Sequence, residues 1–102
     1  MPGQILTEVS ATVHPTREAE LVAAFRELGN APLPDGLLRT ELVRGHEGRW
    51  RIQTYWRDHA SLDALLALPE PPPARRLFQD VGAEPSLQIL KVEADHVAAA
   101  AE

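Results

Sequence analysis

The alternation of apolar and polar residues along the chain predicts four strands and two helices. Residues 4–13 are rich in β-branched and small side chains, which is typical of a strand. Residues 16–29 instead place apolar side chains at helical spacing, and Gly29 can end that helix. The apolar side chains of the helix are Leu21, Val22, Phe25 and Leu28. The first third of the chain therefore predicts a strand followed by a helix.

The rest of the chain predicts a hairpin, a second helix and a last strand. Residues 37–45 and 49–58 have strand character and flank the short loop HEG. Asp58 can cap the second helix, Pro69 ends it, and residues 86–95 form the last strand. The segment between them offers the core Leu77, Phe78 and Val81. This order predicts an α+β fold, a ferredoxin-like βαββαβ sandwich with helices on one face of an antiparallel sheet.

The loop between the two hairpin strands decides which residues face each other. With three loop residues, Gly48 can take the positive φ of a bulge, and apolar side chains face apolar side chains. The predicted pairs are Leu42 with Ile52, Thr40 with Thr54, Leu38 with Trp56 and Arg39 with Tyr55. A loop of two residues would instead set Glu41 beside Ile52 and bring charges into the helix-covered layer. We therefore predict the three-residue loop.

Both faces of the predicted sheet carry apolar residues. The hairpin face turned away from the helices carries Leu37, Arg39, Glu41, Val43, Arg51, Gln53, Tyr55 and Arg57. The last strand has Leu87 and Ile89 on one side, and Leu90 and Val92 on the other. A sheet with two partly apolar faces predicts a partner sheet, most simply from a second copy. We therefore expect a homodimer formed sheet to sheet.

Composition and charge narrow the function classes. The chain has 102 residues, 44% of them hydrophobic, which predicts one domain at residues 1–97 and a disordered tail at 98–102. It has no cysteine, no basic leader with an apolar run, and no stretch of about 18 apolar residues, so we expect a cytoplasmic protein without a membrane partner. The net charge of −5 argues against nucleic acid as a partner. Because no metal-ligand spacing or phosphate-binding glycine loop occurs, we expect neither a metal nor a cofactor.

Three stretches of the sequence resemble one enzyme family. They are DGLLRTELVRG at residues 35–45, RWRIQTYWRDHASLDALLAL at residues 49–68 and GAEPSLQILKVEA at residues 82–94. The pattern resembles the antibiotic biosynthesis monooxygenase family, in which Trp56 would be the tryptophan of the third strand. The resemblance extends over residues 4–95 and implies a dimeric α+β barrel with a pocket between sheet and helices. Members include cofactor-free oxygenases of polyketide-like aromatics, quinol oxidases and heme-degrading enzymes, so membership implies a fold and not a reaction.

Several positions depart from the family pattern. Many members carry glutamate at the position of Thr54, histidine at Leu65 and a second histidine near Glu70. Heme-degrading members have tryptophan at Leu65 and an iron-binding histidine near Arg75. These differences argue against heme degradation and leave two alternatives. One is a cofactor-independent monooxygenase of small aromatic, polyketide-like or quinol substrates, and the other is a non-catalytic ligand-binding or accessory dimer of the same fold.

The candidate site combines an apolar pocket with few acid–base groups. The predicted substrate-pocket residues are Leu28, Trp50, Thr54, Trp56, Leu65 and Phe78. They would bind a small apolar or aromatic molecule without heme or flavin, although tryptophans on a helix-covered strand more often belong to the core. The catalytic candidates are Glu8, His14 and His59, with a solvated position as the alternative for both histidines.

Two arguments about the first strand conflict. The family resemblance places a polar pocket residue near Glu8, in which case burial would raise its pKa and oxygenation would depend on it. Apolarity instead sets Ile5, Val9 and Val13 against the helices. That arrangement would send Glu8 to the dimer-facing side of the sheet.

Overall fold

The computed structural model describes residues 4–98, which form an antiparallel sheet of four strands and three α-helices. The strands are β1 (Ile5–Thr12), β2 (Leu37–Arg44), β3 (Arg49–Trp56) and β4 (Ser86–Lys91), in the spatial order β2-β3-β1-β4. The helices are α1 (Glu18–Glu27), α2 (His59–Leu66) and α3 (Pro73–Asp80). This confirms the predicted ferredoxin-like α+β fold. The tail predicted for residues 98–102 lies outside the described residues except for residue 98.

A third helix follows the proline cluster, where the sequence predicts only that apolar side chains reach the core. It begins at Pro73. The first N–H groups of a helix have no partner within the helix, so the missing N–H of proline costs nothing there, and the φ of proline already suits a helix. The predicted burial of Leu77, Phe78 and Val81 is confirmed. Among residues 4–98, none of the helices has the length and apolarity needed to cross a membrane.

The hairpin register agrees with the prediction over most of its length. Leu42 lies opposite Ile52, Thr40 opposite Thr54 and Arg39 opposite Tyr55. Gly45 N donates to Arg49 O at 2.7 Å, so the strands close around a loop of three residues. Gly48 has the predicted positive φ, at 77°, and Glu47 before it is also left-handed, at 56°. The three-residue loop is therefore confirmed.

One predicted pair is wrong, because Leu37 and not Leu38 lies opposite Trp56. β2 has a bulge between Leu37 and Arg39, which makes Leu38 the extra residue and leaves it 51% exposed. Leu37 consequently leaves the mixed face on which the sequence pattern places it and packs beside Trp56. The chain enters β2 from Gly36, whose φ of 85° lies in the left-handed region that favours glycine.

The helix-covered face of the sheet holds two hydrophobic clusters. The larger includes Leu21 of α1 and Phe78 of α3, and the smaller joins Ile5, Trp56 and Leu62. In β1 every second side chain from Ile5 to Ala11 is buried, and the side chains between them point the other way. We call that other side the open face; it includes Leu6, Glu8, Gln53, Tyr55 and Leu90.

The predicted cap at Asp58 is confirmed. Its carboxylate accepts hydrogen bonds from the Ser61 hydroxyl at 2.7 Å and from the Ser61 backbone N–H at 2.8 Å. These two bonds hold the pKa of Asp58 below its usual value, because they stabilise the charged carboxylate. The cap fixes the first turn of α2 and thereby the position of Leu65, which faces the cavity described next.

Candidate functional site

A cavity of about 550 Å³ lies between the helix-covered face of the sheet and the segments that follow α1 and α2. Four of the predicted pocket residues line it, namely Leu28, Thr54, Trp56 and Leu65. The other two, Trp50 and Phe78, belong to the larger hydrophobic cluster and are not among the lining residues. The structure therefore brings together the predicted residues from α2, β3 and the turn after α1.

Trp50 has a different set of contacts from Trp56. Its indole Nε1–H donates to Glu18 Oε2 at 3.0 Å, and the Arg44 guanidinium lies over the ring, 5.1 Å from the centroid. Glu18 also accepts from Arg44 Nη2 at 2.7 Å. These contacts tie the start of α1 to the hairpin, so the structure gives Trp50 a packing role.

Three threonines cross the sheet wall of the cavity in one row. Thr7 of β1 lies opposite Thr54 of β3, and Thr54 lies opposite Thr40 of β2. All three line the cavity, and we call them the threonine row. On the same side of β3, Thr54 has Ile52 and Trp56 as its neighbours, and both also line the cavity. The wall therefore carries a strip of hydroxyl groups between apolar side chains.

Hydrogen bonds connect the threonine row with Trp56. The Trp56 Nε1–H donates to Thr7 Oγ1 at 3.1 Å, and the Thr7 hydroxyl donates to the Thr54 carbonyl oxygen at 3.5 Å. The Oγ1 atoms of Thr40 and Thr54 are 2.9 Å apart. Within residues 4–98, every buried side-chain polar atom has a hydrogen-bond partner. The hydroxyls are thus compatible with their apolar surroundings.

The mouth of the cavity combines prolines with polar side chains. The prolines around it include Pro32, Pro34, Pro69, Pro71, Pro72 and Pro73. Glu70 and Arg75 also line the cavity; the family resemblance places a histidine of many members near Glu70 and the iron-binding histidine of heme-degrading members near Arg75. The Glu70 side chain is 76% exposed and pairs with Arg76 at 3.6 Å. Of the cavity-lining residues in the described part of the chain, Glu70 is the one carboxylate.

Glu8 lies on the open face and not in the cavity wall. Ile5, Val9 and Val13 are buried on the helix side, so the arrangement expected from apolarity is the observed one. The Glu8 carboxylate accepts from Gln53 Nε2 at 3.0 Å and from an Arg51 guanidinium N–H at 3.4 Å. Its side chain is only 15% exposed. The sheet therefore separates this carboxylate from the cavity.

The two candidate histidines are exposed and lie outside the cavity wall. His14 Nδ1 accepts from the Thr16 backbone N–H at 3.2 Å and caps the short turn before α1. His59 Nδ1 lies 3.1 Å from Asp63 Oδ2, one turn further along α2. In the described part of the chain, no three His, Cys, Asp or Glu residues are grouped so that they could hold a metal ion.

Sequence reasoning missed Thr7 and Thr40 as cavity residues. A signal for Thr40 was present, because the predicted register pairs it with Thr54 and so places both on one face. For Thr7, the signal was its position between Ile5 and Val9, the two apolar residues expected to face the helices. The prolines of the mouth had no comparable signal, since no alternation or helical spacing places loop residues against a distant sheet.

The fold is similar to that of known proteins. A family model described as "Antibiotic biosynthesis monooxygenase" matches residues 5–70, which extend from β1 through α2. A comparison with curated protein sequences found no match.

Several solved structures have a similar fold. A variant of SnoaB, a cofactor-independent oxygenase from Streptomyces nogalater, has a TM-score of 0.70 and 19% identity, covering 91% of this chain and 96% of that chain. Heme-degrading protein Rv3592 from Mycobacterium tuberculosis has a TM-score of 0.65 and 22% identity, and the match covers 94% of this chain and 99% of that chain. A conserved protein from Methanosarcina mazei Go1 has a TM-score of 0.66 and 14% identity, and the match covers 86% of this chain and 91% of that chain. These structures show the fold, and the family model, which matches well over half of the chain, shows that the protein belongs to the antibiotic biosynthesis monooxygenase family.

Proposed function

We propose that this protein is a cofactor-independent monooxygenase that acts on small aromatic, polyketide-like or quinol substrates. The observation that carries the proposal is the apolar cavity of about 550 Å³ with hydroxyl groups across its sheet wall. Ligand sites commonly have volumes of roughly 300–1,000 Å³ and a few polar groups in an apolar lining. Membership of the family supports monooxygenase chemistry, and the similar fold of SnoaB, a cofactor-independent oxygenase, is compatible with it.

Oxygenation without a cofactor needs a substrate that can itself reduce oxygen. In an anthrone-type substrate, a ring CH₂ group loses a proton, and the resulting carbanion passes one electron to O₂. The substrate radical and superoxide then combine, and the peroxide formed takes up a proton. Loss of water leaves a C=O group, so one atom of O₂ ends in the product and the other in water with both CH₂ hydrogens. The protein has to hold the substrate away from bulk water and accept the first proton.

The proton acceptor that we propose is Glu70, because it is the one carboxylate in the cavity wall within residues 4–98. Glu8, the base expected from the family resemblance, faces the opposite side of the sheet. A substrate in the cavity can approach Glu70 at the mouth, whereas it cannot reach Glu8 through the sheet.

The test is oxygen consumption with an anthrone or a hydroquinone. We expect Glu70→Gln to lower turnover about a hundredfold or more, which is the usual contribution of a general base. The matched variant Glu8→Gln should keep the wild-type rate, with circular dichroism showing that both variants are folded. A loss of turnover in Glu8→Gln alone would contradict the assignment and restore Glu8 as the base.

A second candidate function is that of a ligand-binding or accessory dimer without catalysis. Two observations favour it. The Glu70 side chain is largely exposed, and this chain has Leu65 and Glu70 at or near the positions where the resemblance places the two histidines of many family members. Binding of aromatic ligands without oxygen uptake by the wild-type protein would support this candidate. Oxygen uptake with formation of a ring carbonyl would exclude it.

We further propose that two copies pair through the open face, which is the assembly expected from the sequence. Leu90 lies opposite Leu6 on this face and is 42% exposed. The Glu8 carboxylate accepts hydrogen bonds from both Gln53 and Arg51 there, so these polar groups already have partners. An apolar strip with satisfied polar neighbours is typical of a protein interface.

Light scattering at micromolar concentration should therefore give the mass of a dimer. Leu90→Arg should shift the mass towards that of a monomer, because it places a charge in the proposed interface. Ile89→Arg is the matched control, since Ile89 is similarly exposed but lies on the other side of β4, opposite Thr7. A monomer mass for the wild-type protein would refute the proposed assembly.

A further inference from the structure

We infer that Thr40 and Thr54 form the polar recognition element of the cavity and select flat aromatic ligands that carry a carbonyl or phenol oxygen. This inference rests on the proposed function, because that function requires an aromatic substrate in the same cavity. It adds which feature of the substrate the protein recognises and which side chains do so.

The hydrogen-bond capacity of the threonine row is not used up. A threonine hydroxyl has one proton to donate and two lone pairs to accept with. Thr7 accepts from the Trp56 indole and donates to the Thr54 carbonyl oxygen, so its proton is occupied. Thr40 and Thr54 share one hydrogen bond at 2.9 Å, which uses one of their two protons. One hydroxyl proton of this pair therefore remains for a ligand.

The burial of the two hydroxyls indicates which of them reaches the ligand. Thr54 is buried between β1 and β2, with 5% of its surface exposed, whereas Thr40 is partly exposed. The arrangement that fits this difference has Thr54 donating to Thr40 and Thr40 donating to the ligand oxygen. A hydroxyl that accepts one hydrogen bond becomes a better donor of the next, so Thr54 strengthens the contact that Thr40 makes.

The surroundings of the pair match a flat ring with an oxygen at its edge. Along β3 the neighbours of Thr54 on this wall are Ile52 and Trp56, and Leu65 lines the cavity from α2. Ile52 and Trp56 are buried behind the wall, whereas Leu28 and Leu65 are partly exposed in the cavity and offer apolar surface to a ring system, while the pair offers one donor to the ring's oxygen. A hydrogen bond to that oxygen becomes stronger when the substrate loses its proton, because the negative charge is delocalised onto the oxygen. The pair would therefore stabilise the substrate anion that reacts with O₂.

The test compares two ligands of the same ring system, 1-naphthol and naphthalene, by anaerobic titration calorimetry. We expect Thr40→Val to weaken binding of 1-naphthol about tenfold, the scale of one lost hydrogen bond, and to leave naphthalene binding almost unchanged. Thr54→Val should weaken 1-naphthol binding by a smaller factor. The double variant lacks both hydroxyls of the pair, so no hydroxyl of the pair is left without a partner. Its affinity for 1-naphthol should resemble that of Thr40→Val. Thr16→Val is the matched control, because Thr16 is exposed and lies outside the cavity wall.

A spectroscopic measurement separates recognition from a merely structural effect. The pKa of bound 1-naphthol, followed by its absorbance, should be lower in the wild-type protein than in Thr40→Val, because the hydrogen bond favours the naphtholate. If both ligands bind and the threonine variants change neither the ligand preference nor this pKa, the inference is wrong and the proposed function stands. If neither ligand binds to the wild-type protein, and no anthrone or hydroquinone does, both the inference and the proposed function fail.

Discussion

Ala74→Phe should weaken the binding of flat aromatic ligands at least about tenfold and reduce oxygen consumption at subsaturating substrate by a similar factor. Ala74 of α3 lines the cavity and packs against the larger hydrophobic cluster, so its side chain is directed inwards. A benzyl group at this position occupies space that the ligand would need. Titration of 1-naphthol, followed by oxygen uptake with an anthrone, checks both effects.

Ala23→Phe is the matched control for this prediction. Ala23 lies on the exposed side of α1 and is not among the cavity-lining residues, so the same substitution leaves the cavity open. Both variants should keep the wild-type circular dichroism spectrum. Unchanged ligand affinity in a folded Ala74→Phe protein would show that the ligand binds elsewhere, and the proposed site would be wrong.

Phe78→Ala should lower the free energy of unfolding by about 3–5 kcal/mol, the usual loss when a large aromatic side chain is removed from a core. Phe78 is fully buried, with 0% of its surface exposed, and packs in the larger cluster with Leu21 and Trp50. Small domains have unfolding free energies of about 5–15 kcal/mol, so this variant should lose a large part of its stability. Urea unfolding followed by tryptophan fluorescence measures the loss.

Phe25→Ala provides the comparison, because Phe25 contacts the same cluster but is only partly buried. Its loss of stability should be clearly smaller than that of Phe78→Ala. If Phe78→Ala does not fold, Phe78→Leu keeps most of the apolar volume and should cost less than about 1.5 kcal/mol. Equal losses for Phe78→Ala and Phe25→Ala would contradict the central position of Phe78 in the core.

These two predictions concern linked properties of α3. Phe78 anchors the helix in the core, and Ala74, one turn earlier, faces the cavity. The residues before the helix, from the proline cluster, form part of the cavity mouth together with Glu70. A variant that loosens α3 should therefore affect ligand binding as well as stability, which is why each binding measurement needs its own check of folding.

The amino-acid sequence determined the order of the four strands and of the helices α1 and α2, and most of the hairpin register. Alternation pairs Leu42 with Ile52 and Thr40 with Thr54, and a loop that ends in Gly48 allows few other pairings. The apolar residues of β1 also indicated correctly which of its sides faces the helices. These features could be predicted because they depend on residues close together in the chain or on strict alternation along a strand.

The bulge at Leu38 was decided by the tertiary structure. A single extra residue in β2 moved Leu37 to the helix-covered side, and alternation alone does not reveal where such a residue is inserted. The whole of α3 also escaped prediction, because a cluster of prolines is equally compatible with an extended connection and with the first turn of a helix.

The candidate site depended still more on tertiary structure. Thr7, Thr40 and Thr54 are distant in sequence and form one row only because β1 and β2 both pair with β3. Glu70 reaches the cavity only because the chain after α2 folds back over the sheet. Sequence patterns report which residues of one segment share a face, whereas a cavity is formed by the gaps between segments, and those gaps are set by how whole helices and loops pack.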